Sequence, residues 1–247
     1  MRTQTRQVLK NVSGFIWRKT IEIKMKKNQL EIACFNYESA LIAQANGADR
    51  IELCENMKLG GTTPNSILVV KVRESINIKM HVIIRPRGGD FVYSDEELTE
   101  MKQDIKQYKK LGVDGFVFGI LKENGKVNKK QNKELVHLAH PLSCTFHRAF
   151  DVVKNPEKSL EDVIDCGFKT ILTSGQGVNV EEGIFALERL QELAGDRIEI
   201  MPGGGLRSSN IKLLQEKLDL TFYHSSAITD NSETANPEEI KELCNFL

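Results

Sequence analysis

The sequence lacks the features that would assign it to a membrane-spanning or nucleic-acid-binding class. Its longest apolar runs fall well short of the roughly 20 residues that span a bilayer. Its 34 Lys and Arg residues are balanced by 34 Asp and Glu residues, so the formal net charge is zero. This balance argues against nucleic acid or a membrane surface as the main partner. We therefore expect an ordinary soluble protein of enzyme size.

Cysteine is scarce and follows no binding or cross-linking pattern. The five cysteines are odd in number and widely spaced, and they form no C-x-x-C motif. This usage argues against a disulfide framework and against a zinc ribbon. A reducing cytosol is the location that this cysteine usage favours.

No nucleotide-binding motif is present either, so any chemistry is expected to need no nucleotide cofactor.

The first 28 residues differ from the rest of the chain because they are strongly basic. Eight lysines and arginines there face Glu22 as the single acidic residue. We expect residues 1–28 to be a disordered extension, or an upstream addition to a protein that starts at Met25. An Arg-rich targeting segment is the alternative. Residues 29–247 are predicted to form one domain.

From residue 30 onward, strand-like and helix-like segments alternate about eight times, in units of roughly 25–30 residues. Strands joined by helical crossovers must be parallel, and eight of them close into a barrel. A (β/α)8 barrel typically needs about 250 residues, which the chain provides. The predicted fold is therefore an α/β single (β/α)8 TIM barrel, with a doubly wound open sheet as the alternative.

The strand-like runs end in polar residues that an ordinary core would not contain. Examples are IELC (51–54), HVIIRPRGGDF (81–91), CTFHRAFD (144–151) and IEIMPGGG (198–205). In a parallel barrel, the carboxyl ends of the strands surround one mouth. Segments that are far apart in the sequence are therefore expected to build one polar site.

Alternation along each strand predicts which side chains point into the barrel. Glu31, Glu52 and Arg85 are expected to point inward, and His147 is expected to join them. A carboxylate, a guanidinium and an imidazole in one cavity can remove a proton, bind an anion and return the proton. These four residues are the catalytic candidates. The alternative is that Glu31, Glu52 and Arg85 form an internal ion-pair network that only fills the barrel.

Loops at the same mouth supply candidates for anion binding. In many barrels the loops after strands seven and eight hold phosphate on backbone N–H groups. The glycines could instead serve only a tight turn. The substrate- or anion-binding candidates are Arg87, Asp90, Arg148, Asp151, Ser174, Gly203, Gly204, Gly205, His224, Ser225 and Ser226.

The strings NGADRIELC, GGTTP, IIRPRGGDFVYSD, TFHRAFD, LTSG and MPGGG together closely resemble the CutC family, which is named for copper homeostasis. The resemblance runs from about Leu30 to Ala227. It implies a TIM barrel, a cytoplasmic protein, a homo-oligomer and a role in copper handling through cysteine ligands for Cu(I). Carried over by residue, it implies Cys54 as a metal ligand, with Cys34 as a possible second.

The sequence departs from the family at the position of the second copper ligand. Some members have an inward cysteine two residues after the glutamate that matches Glu31, and Ala33 occupies that position here. Its neighbour Cys34 is expected to point away from Cys54 because successive side chains alternate across a strand. Two thiolates suit soft Cu(I), and one alone makes a poor high-affinity site.

Two main functions therefore remain open, and a non-catalytic ligand sensor on the same barrel is a weaker third. The first is a cytoplasmic copper homeostasis protein that binds copper ion as Cu(I). The second is a lyase or isomerase that acts on a small anionic or phosphorylated metabolite. In the second, Arg85 and Arg87 hold the anion and Glu52 or His147 is the general base.

Overall fold

The computed structural model describes residues 28–247, so the predicted extension over 1–28 lies outside the described residues except for Asn28. Strands and helices alternate throughout. The strands are β1 (Gln29–Cys34), β2 (Arg50–Leu53), β3 (Lys79–Ile83), β4 (Gly115–Phe118), β5 (Ser143–Phe146), β6 (Thr170–Thr173), β7 (Glu199–Pro202) and β8 (Phe222–Ser225). The helices are α1 (Tyr37–Ala45), α2 (Ser66–Ser75), α3 (Asp95–Lys110), α4 (Lys129–Ala139), α5 (Pro156–Cys166), α6 (Ile184–Ala194), α7 (Ile211–Lys217) and α8 (Pro237–Phe246).

All the strand pairs are parallel, and the strand order follows the chain. The sheet runs from β7 back through β6, β5, β4, β3 and β2 to β1, which also pairs with β8. β7 and β8, at the two ends of this order, contact each other. The sheet therefore curls into a nearly closed barrel. This confirms the predicted TIM barrel and excludes the doubly wound sheet.

Local side-chain chemistry fixes where the helices begin. Five helices follow an asparagine whose side-chain oxygen accepts a hydrogen bond from a backbone N–H of the first turn; these are Asn36, Asn65, Asn128, Asn155 and Asn236. α3 instead begins at a capping box between Ser94 and Glu97. Each of these caps satisfies donors that have no partner inside the helix.

The main core lies between the strands and the surrounding helices. Ile51 and Leu53 of β2 point into this outer layer and are completely buried. Glu52, between them, points to the barrel interior. Buried barrel layers are usually filled by branched apolar side chains. Here the interior instead holds a group of buried charged and polar residues, which positions the site described below.

Within residues 28–247, no helix is both long enough and apolar enough to cross a membrane.

Candidate functional site

A cavity of about 270 Å³ opens at the carboxyl ends of the strands. It brings together ten of the residues predicted for the site from distant parts of the sequence. These ten are Glu52, Cys54, Arg85, His147, Arg148, Gly204, Gly205, His224, Ser225 and Ser226. The other predicted residues lie behind the cavity wall or away from it: Glu31, Cys34, Arg87, Asp90, Asp151, Ser174 and Gly203.

Two carboxylates flank the imidazole of His224. Its Nδ1 lies 2.8 Å from Glu31 Oε1, and its Nε2 lies 3.7 Å from Glu52 Oε2. β1 lies between β2 and β8, which explains how the three side chains meet. Glu31 is fully buried behind the cavity wall, and Glu52 and His224 line the cavity.

Arg50 compensates the charge of Glu31. The two residues are register partners on β1 and β2, and the guanidinium Nε donates to Glu31 Oε2 in a buried ion pair. The guanidinium also lies over the ring of Phe222, 4.2 Å from its centroid. Arg50 has the same parity as Glu52 and Cys54, so alternation places it inside the barrel. The sequence analysis did not select it.

The surroundings give the two carboxyls opposite protonation behaviour. Burial alone raises the pKa of Glu31, but Arg50 and His224 outweigh burial and hold that pKa well below its usual value. Burial raises the pKa of Glu52 from 4.5 to about 7, with the charge of His224 opposing it. Burial lowers the pKa of His224, but its hydrogen bond to Glu31 and the two carboxylates outweigh that effect and raise it.

A carboxyl with a pKa near 7 can both take and give a proton at neutral pH. Glu52 therefore has the protonation behaviour that an acid–base group needs. Glu31 is an ionised anchor that orients His224, because Arg50 and the imidazole already occupy its oxygens.

Arg85 does not contact Glu31 or Glu52, contrary to the ion-pair network considered above. Its Nη1 donates to the carbonyls of Leu59 and Gly61, and its Nη2 donates to the carbonyl of Gly89. The guanidinium also lies over Phe91, 4.8 Å from the ring centroid. Arg85 therefore ties two loops to the cavity wall, while its buried Nε has no hydrogen-bond partner.

His147 is a neutral hydrogen-bond donor in the cavity wall. Burial, together with the charge of Arg85, lowers its pKa to about 3. Its Nδ1 accepts the N–H of Ala149, which places the ring proton on Nε2. That Nε2 is buried and has no partner. The ring packs at 4.9 Å from Phe91, which fixes its orientation.

Arg148 is held in place by Asp151 and Ser174. Its Nε donates to Asp151 Oδ2 at 2.7 Å, and its Nη2 lies 3.3 Å from Ser174 Oγ. The guanidinium rests against the backbone of Gly204, where an added Cβ would come within 2.9 Å of Cζ. Gly204 also has a φ of 106°, which favours glycine. Asp151 and Ser174 thus position an arginine of the cavity.

Arg207 is a second cavity arginine that the sequence analysis did not select. It follows β7, and its Nη1 donates to the Leu206 carbonyl and lies 3.2 Å from Ser225 Oγ. Its Nη2 donates to the carbonyl of Ile228. The signal that could have found it is its place in the loop after strand seven, beside the glycines that were selected.

Two predicted anion-binding residues lie at the outer surface of the loop after β3. Arg87 is paired with Asp90 and Glu97, at 3.0 and 2.6 Å. Its guanidinium also lies near the ring of Tyr93. Because the chain turns after β3, the alternation that places Arg85 in the wall does not extend to Arg87. The pair Arg87–Asp90 therefore shapes this loop, and neither residue lines the cavity.

The two cysteines considered as copper ligands lie on opposite sides of the barrel wall. Cys54 lines the cavity, where it packs with Ile83 and Phe35. Cys34 is fully buried in the outer core between strands and helices. Burial and the charge of Glu52 raise the pKa of the Cys54 thiol well above its usual value. The cavity thus holds one protonated thiol.

One group of side chains in the described part of the chain has the spacing of a metal site. Ligand atoms of Glu31, Glu52 and His224 lie within 4.8 Å of one another. The oxygens of Glu31 are already in contact with Arg50 and His224. The donors that a metal ion could reach in this group are therefore Glu52 and the Nε2 of His224. These are oxygen and imidazole donors, which suit borderline divalent ions better than Cu(I).

Residues 28–229 match the CutC family, a span that covers most of the chain. The chain belongs to the CutC family. The family protein CutC of Chromobacterium violaceum is 44% identical over 198 residues, which is 80% of each chain. The human copper homeostasis protein cutC homolog is 44% identical over 80% of this chain and 72% of its own.

The crystal structure of CutC from Streptococcus agalactiae superposes with a TM-score of 0.78. Its sequence is 32% identical, and the superposition covers 82% of this chain and 100% of that chain. The resemblance noted from the motifs is therefore confirmed, both in sequence and in fold.

Proposed function

We propose that this protein takes part in copper homeostasis, the role that the name of the human relative gives for that protein. We further propose that its barrel mouth binds a small anionic metabolite and transfers protons on it, as a lyase or an isomerase does. One observation carries this activity. A carboxyl with a pKa of about 7, a neutral imidazole donor and three arginines line the same cavity.

Each group has a distinct part in the proposed reaction. Glu52 removes a proton from carbon next to a carbonyl group and returns it to a neighbouring position. The Nε2–H of His147 donates to the oxygen that becomes negative, as a preorganised dipole in a water-poor site. The low pKa of His147 makes it a poor base, so Glu52 is proposed as the base.

The test follows solvent deuterium and does not require the substrate to be identified first. The purified protein is incubated in deuterium oxide with a mixture of small carboxylated and phosphorylated carbonyl compounds. Mass spectrometry then detects any compound that gains deuterium. We expect incorporation into at least one compound, at a rate proportional to the protein concentration. A complete lack of incorporation across such a mixture would count against the proposal.

Direct copper binding is a second candidate, favoured by the position of Cys54 in the cavity wall beside Glu52. A thiolate is the ligand that soft Cu(I) prefers, and Cys54 is the cysteine that lines the cavity within residues 28–247. Copper would be the cargo. Cys34 is separated from it by the strand wall, so a second ligand would have to be His147, His224 or Glu52.

A matched pair of cysteine variants tests copper binding. We expect the wild-type protein to bind one Cu(I) in an anaerobic competition titration with a chromophoric chelator. Cys54→Ser should abolish this binding, and Cys34→Ser should leave it intact because that thiol faces the outer core. Binding must release the thiol proton, so affinity should rise about tenfold per pH unit below the thiol pKa. Wild-type affinity in Cys54→Ser would show that Cys54 is not a copper ligand.

The cellular setting is also a proposal. A cytoplasmic location is supported by the odd number and wide spacing of the five cysteines, which argue against a disulfide framework. Self-association into a homo-oligomer is proposed from the family resemblance. Cell fractionation and light scattering of the purified protein test these two points.

A further inference from the structure

Two arginines of the cavity have no anionic partner among residues 28–247. Arg85 is 5% exposed, and its hydrogen bonds go to three backbone carbonyls, with Nε left unpartnered. The hydrogen bonds of Arg207 go to two carbonyls and to Ser225 Oγ. Arg148, by contrast, is paired with Asp151. Carbonyl and hydroxyl groups therefore bind both guanidiniums, and no carboxylate of residues 28–247 forms an ion pair with Arg85 or Arg207.

Leaving such charges without a counter-ion is costly in a partly desolvated site. An unpaired buried charge disfavours the folded state by several kcal/mol unless a partner or water compensates it, and Arg85 is the buried one of the two, whereas Arg207 is half-buried. The acidic residue that lines the cavity is Glu52, which lies beside His224 and whose raised pKa keeps it partly protonated at neutral pH. A bound ligand with negative charge would supply the missing compensation at both arginines.

The two arginines lie on opposite sides of the mouth. Arg85 follows β3 and Arg207 follows β7, and the strand order places three strands between β3 and β7 in either direction. Arg148 and the backbone of Gly204 and Gly205 lie on the side of Arg207. A single small anion next to one arginine would leave the other unpaired.

We propose that the ligand of this cavity carries two separated anionic groups. One group lies at Arg207, beside Arg148 and the Gly204–Gly205 backbone. The other lies on the side of Arg85. The part between them lies next to Glu52 and His147 and against the apolar side chains of Ile83 and Leu172. The substrate class is therefore a small dicarboxylate or a phosphorylated carboxylate.

This inference rests on the proposed function, because it assigns the ends of the molecule on which Glu52 acts. It also explains why the reacting part would be held between an acid–base carboxyl and a neutral imidazole donor. Binding at two ends fixes the orientation of the middle, which is what lowers the entropic cost of reaction.

Binding of defined probes to the full-length protein tests the inference. Isothermal titration at constant ionic strength compares two-ended probes, succinate and phosphoglycolate, with one-ended probes, acetate and inorganic phosphate. We expect at least one two-ended probe to bind about tenfold to hundredfold more tightly than either one-ended probe. Tighter binding of phosphoglycolate indicates a phosphorylated carboxylate, and tighter binding of succinate indicates a dicarboxylate.

Variants locate the two ends. Arg207→Gln should reduce the affinity of the better two-ended probe to about that of a one-ended probe. Arg189→Gln, which removes a surface arginine that is paired with Glu157, is the matched control and should bind as the wild type does. Arg85 anchors two loops, so Arg85→Lys, which keeps the charge, is used there and should lose less affinity than Arg207→Gln.

The outcomes separate this inference from the proposed chemistry. Glu52→Gln should bind the two-ended probe at least as tightly as the wild type, because it removes a negative charge, whether or not the protein transfers protons. Inorganic phosphate binding as tightly as phosphoglycolate and succinate would overturn the inference. So would the absence of binding by every probe, or full affinity in Arg207→Gln.

Discussion

Replacing Glu52 with glutamine is expected to reduce deuterium incorporation into the responsive compound by about 10²–10⁴-fold. Glutamine keeps the size and the neutral hydrogen-bonding character of the protonated carboxyl, but it cannot accept the proton. In the wild type, Glu52 Oε2 lies 3.7 Å from His224 Nε2 in the cavity. The loss should therefore fall on the rate constant for exchange and not on binding of the compound.

The wild-type rate should also depend on pH in a direction set by Glu52. Burial raises its pKa to about 7, so the fraction of carboxylate, and with it the exchange rate, should rise as the pH passes through about 7. The residual rate of Glu52→Gln should lack this inflection. Glu216→Gln removes an exposed carboxylate from α7 and is the matched control, which should keep both the rate and the profile.

Stability measurements show whether the variant is folded and whether Glu52 has the expected environment. A carboxyl whose folded pKa lies above its unfolded value weakens the folded state as the pH rises from about 4.5 to about 7. Glu52→Gln should therefore be more stable than the wild type at mildly alkaline pH, by an amount on the order of 3 kcal/mol, and should lose this advantage in acid. A wild-type exchange rate in Glu52→Gln, with this stability change present, would mean that another residue is the base.

The fold could be predicted because each of its signals is local and repeated. The alternation of strands and helices, and caps such as Ser94 with Glu97, depend on neighbours in the sequence. The order of the strands then follows from the short connections. The ends of the strands were less predictable: β5 stops at Phe146, and Arg148–Val152 forms a 3₁₀ turn. Polar residues that follow a strand do not show where its hydrogen bonding ends.

Part of the cavity lining could be predicted, but the pairing inside the barrel could not. Parity identifies Glu52 and Cys54 as inward, and the same parity applies to Arg50. From the sequence alone, Arg85 is favoured over Arg50 as the partner of Glu31, because Arg85 lies at the end of a strand, where sites are built. The pairing depends on register between neighbouring strands, which brings Arg50 opposite Glu31. Register depends on how two strands are aligned with each other, so the residue pattern of one strand does not predict it.

Arg207 shows a different limit. The sequence analysis treats the glycines at 203–205 as the anion site, since glycine permits close approach of a backbone. The structure shows that Gly204 makes room for the guanidinium of Arg148, and that Arg207 reaches the cavity from the next turn. Long side chains on loops take directions that no strand or helix period specifies. Their position must come from the tertiary structure.

Replacing Arg50 with methionine is expected to destabilise the fold by about 3 kcal/mol. The substitution keeps much of the side-chain volume but leaves Glu31 fully buried without its guanidinium. His224 still donates to Glu31, so the cost should lie at the lower end of the range for a broken buried pair. The midpoint and slope of urea unfolding measure the change. Arg189→Met removes a surface ion pair and should alter stability by less than about 0.5 kcal/mol.

The pH dependence and a double variant identify the cause of the loss. In the wild type, Arg50 and His224 hold the pKa of Glu31 well below its usual value, so their stabilisation is present above that usual value and is lost in acid. The difference between wild type and Arg50→Met should therefore shrink as the pH falls. Arg50→Met combined with Glu31→Gln should recover part of the stability at neutral pH, because the uncompensated charge is gone. A double variant no more stable than Arg50→Met, at every pH, would show that packing of Arg50 on Phe222, and not its charge, stabilises the barrel interior.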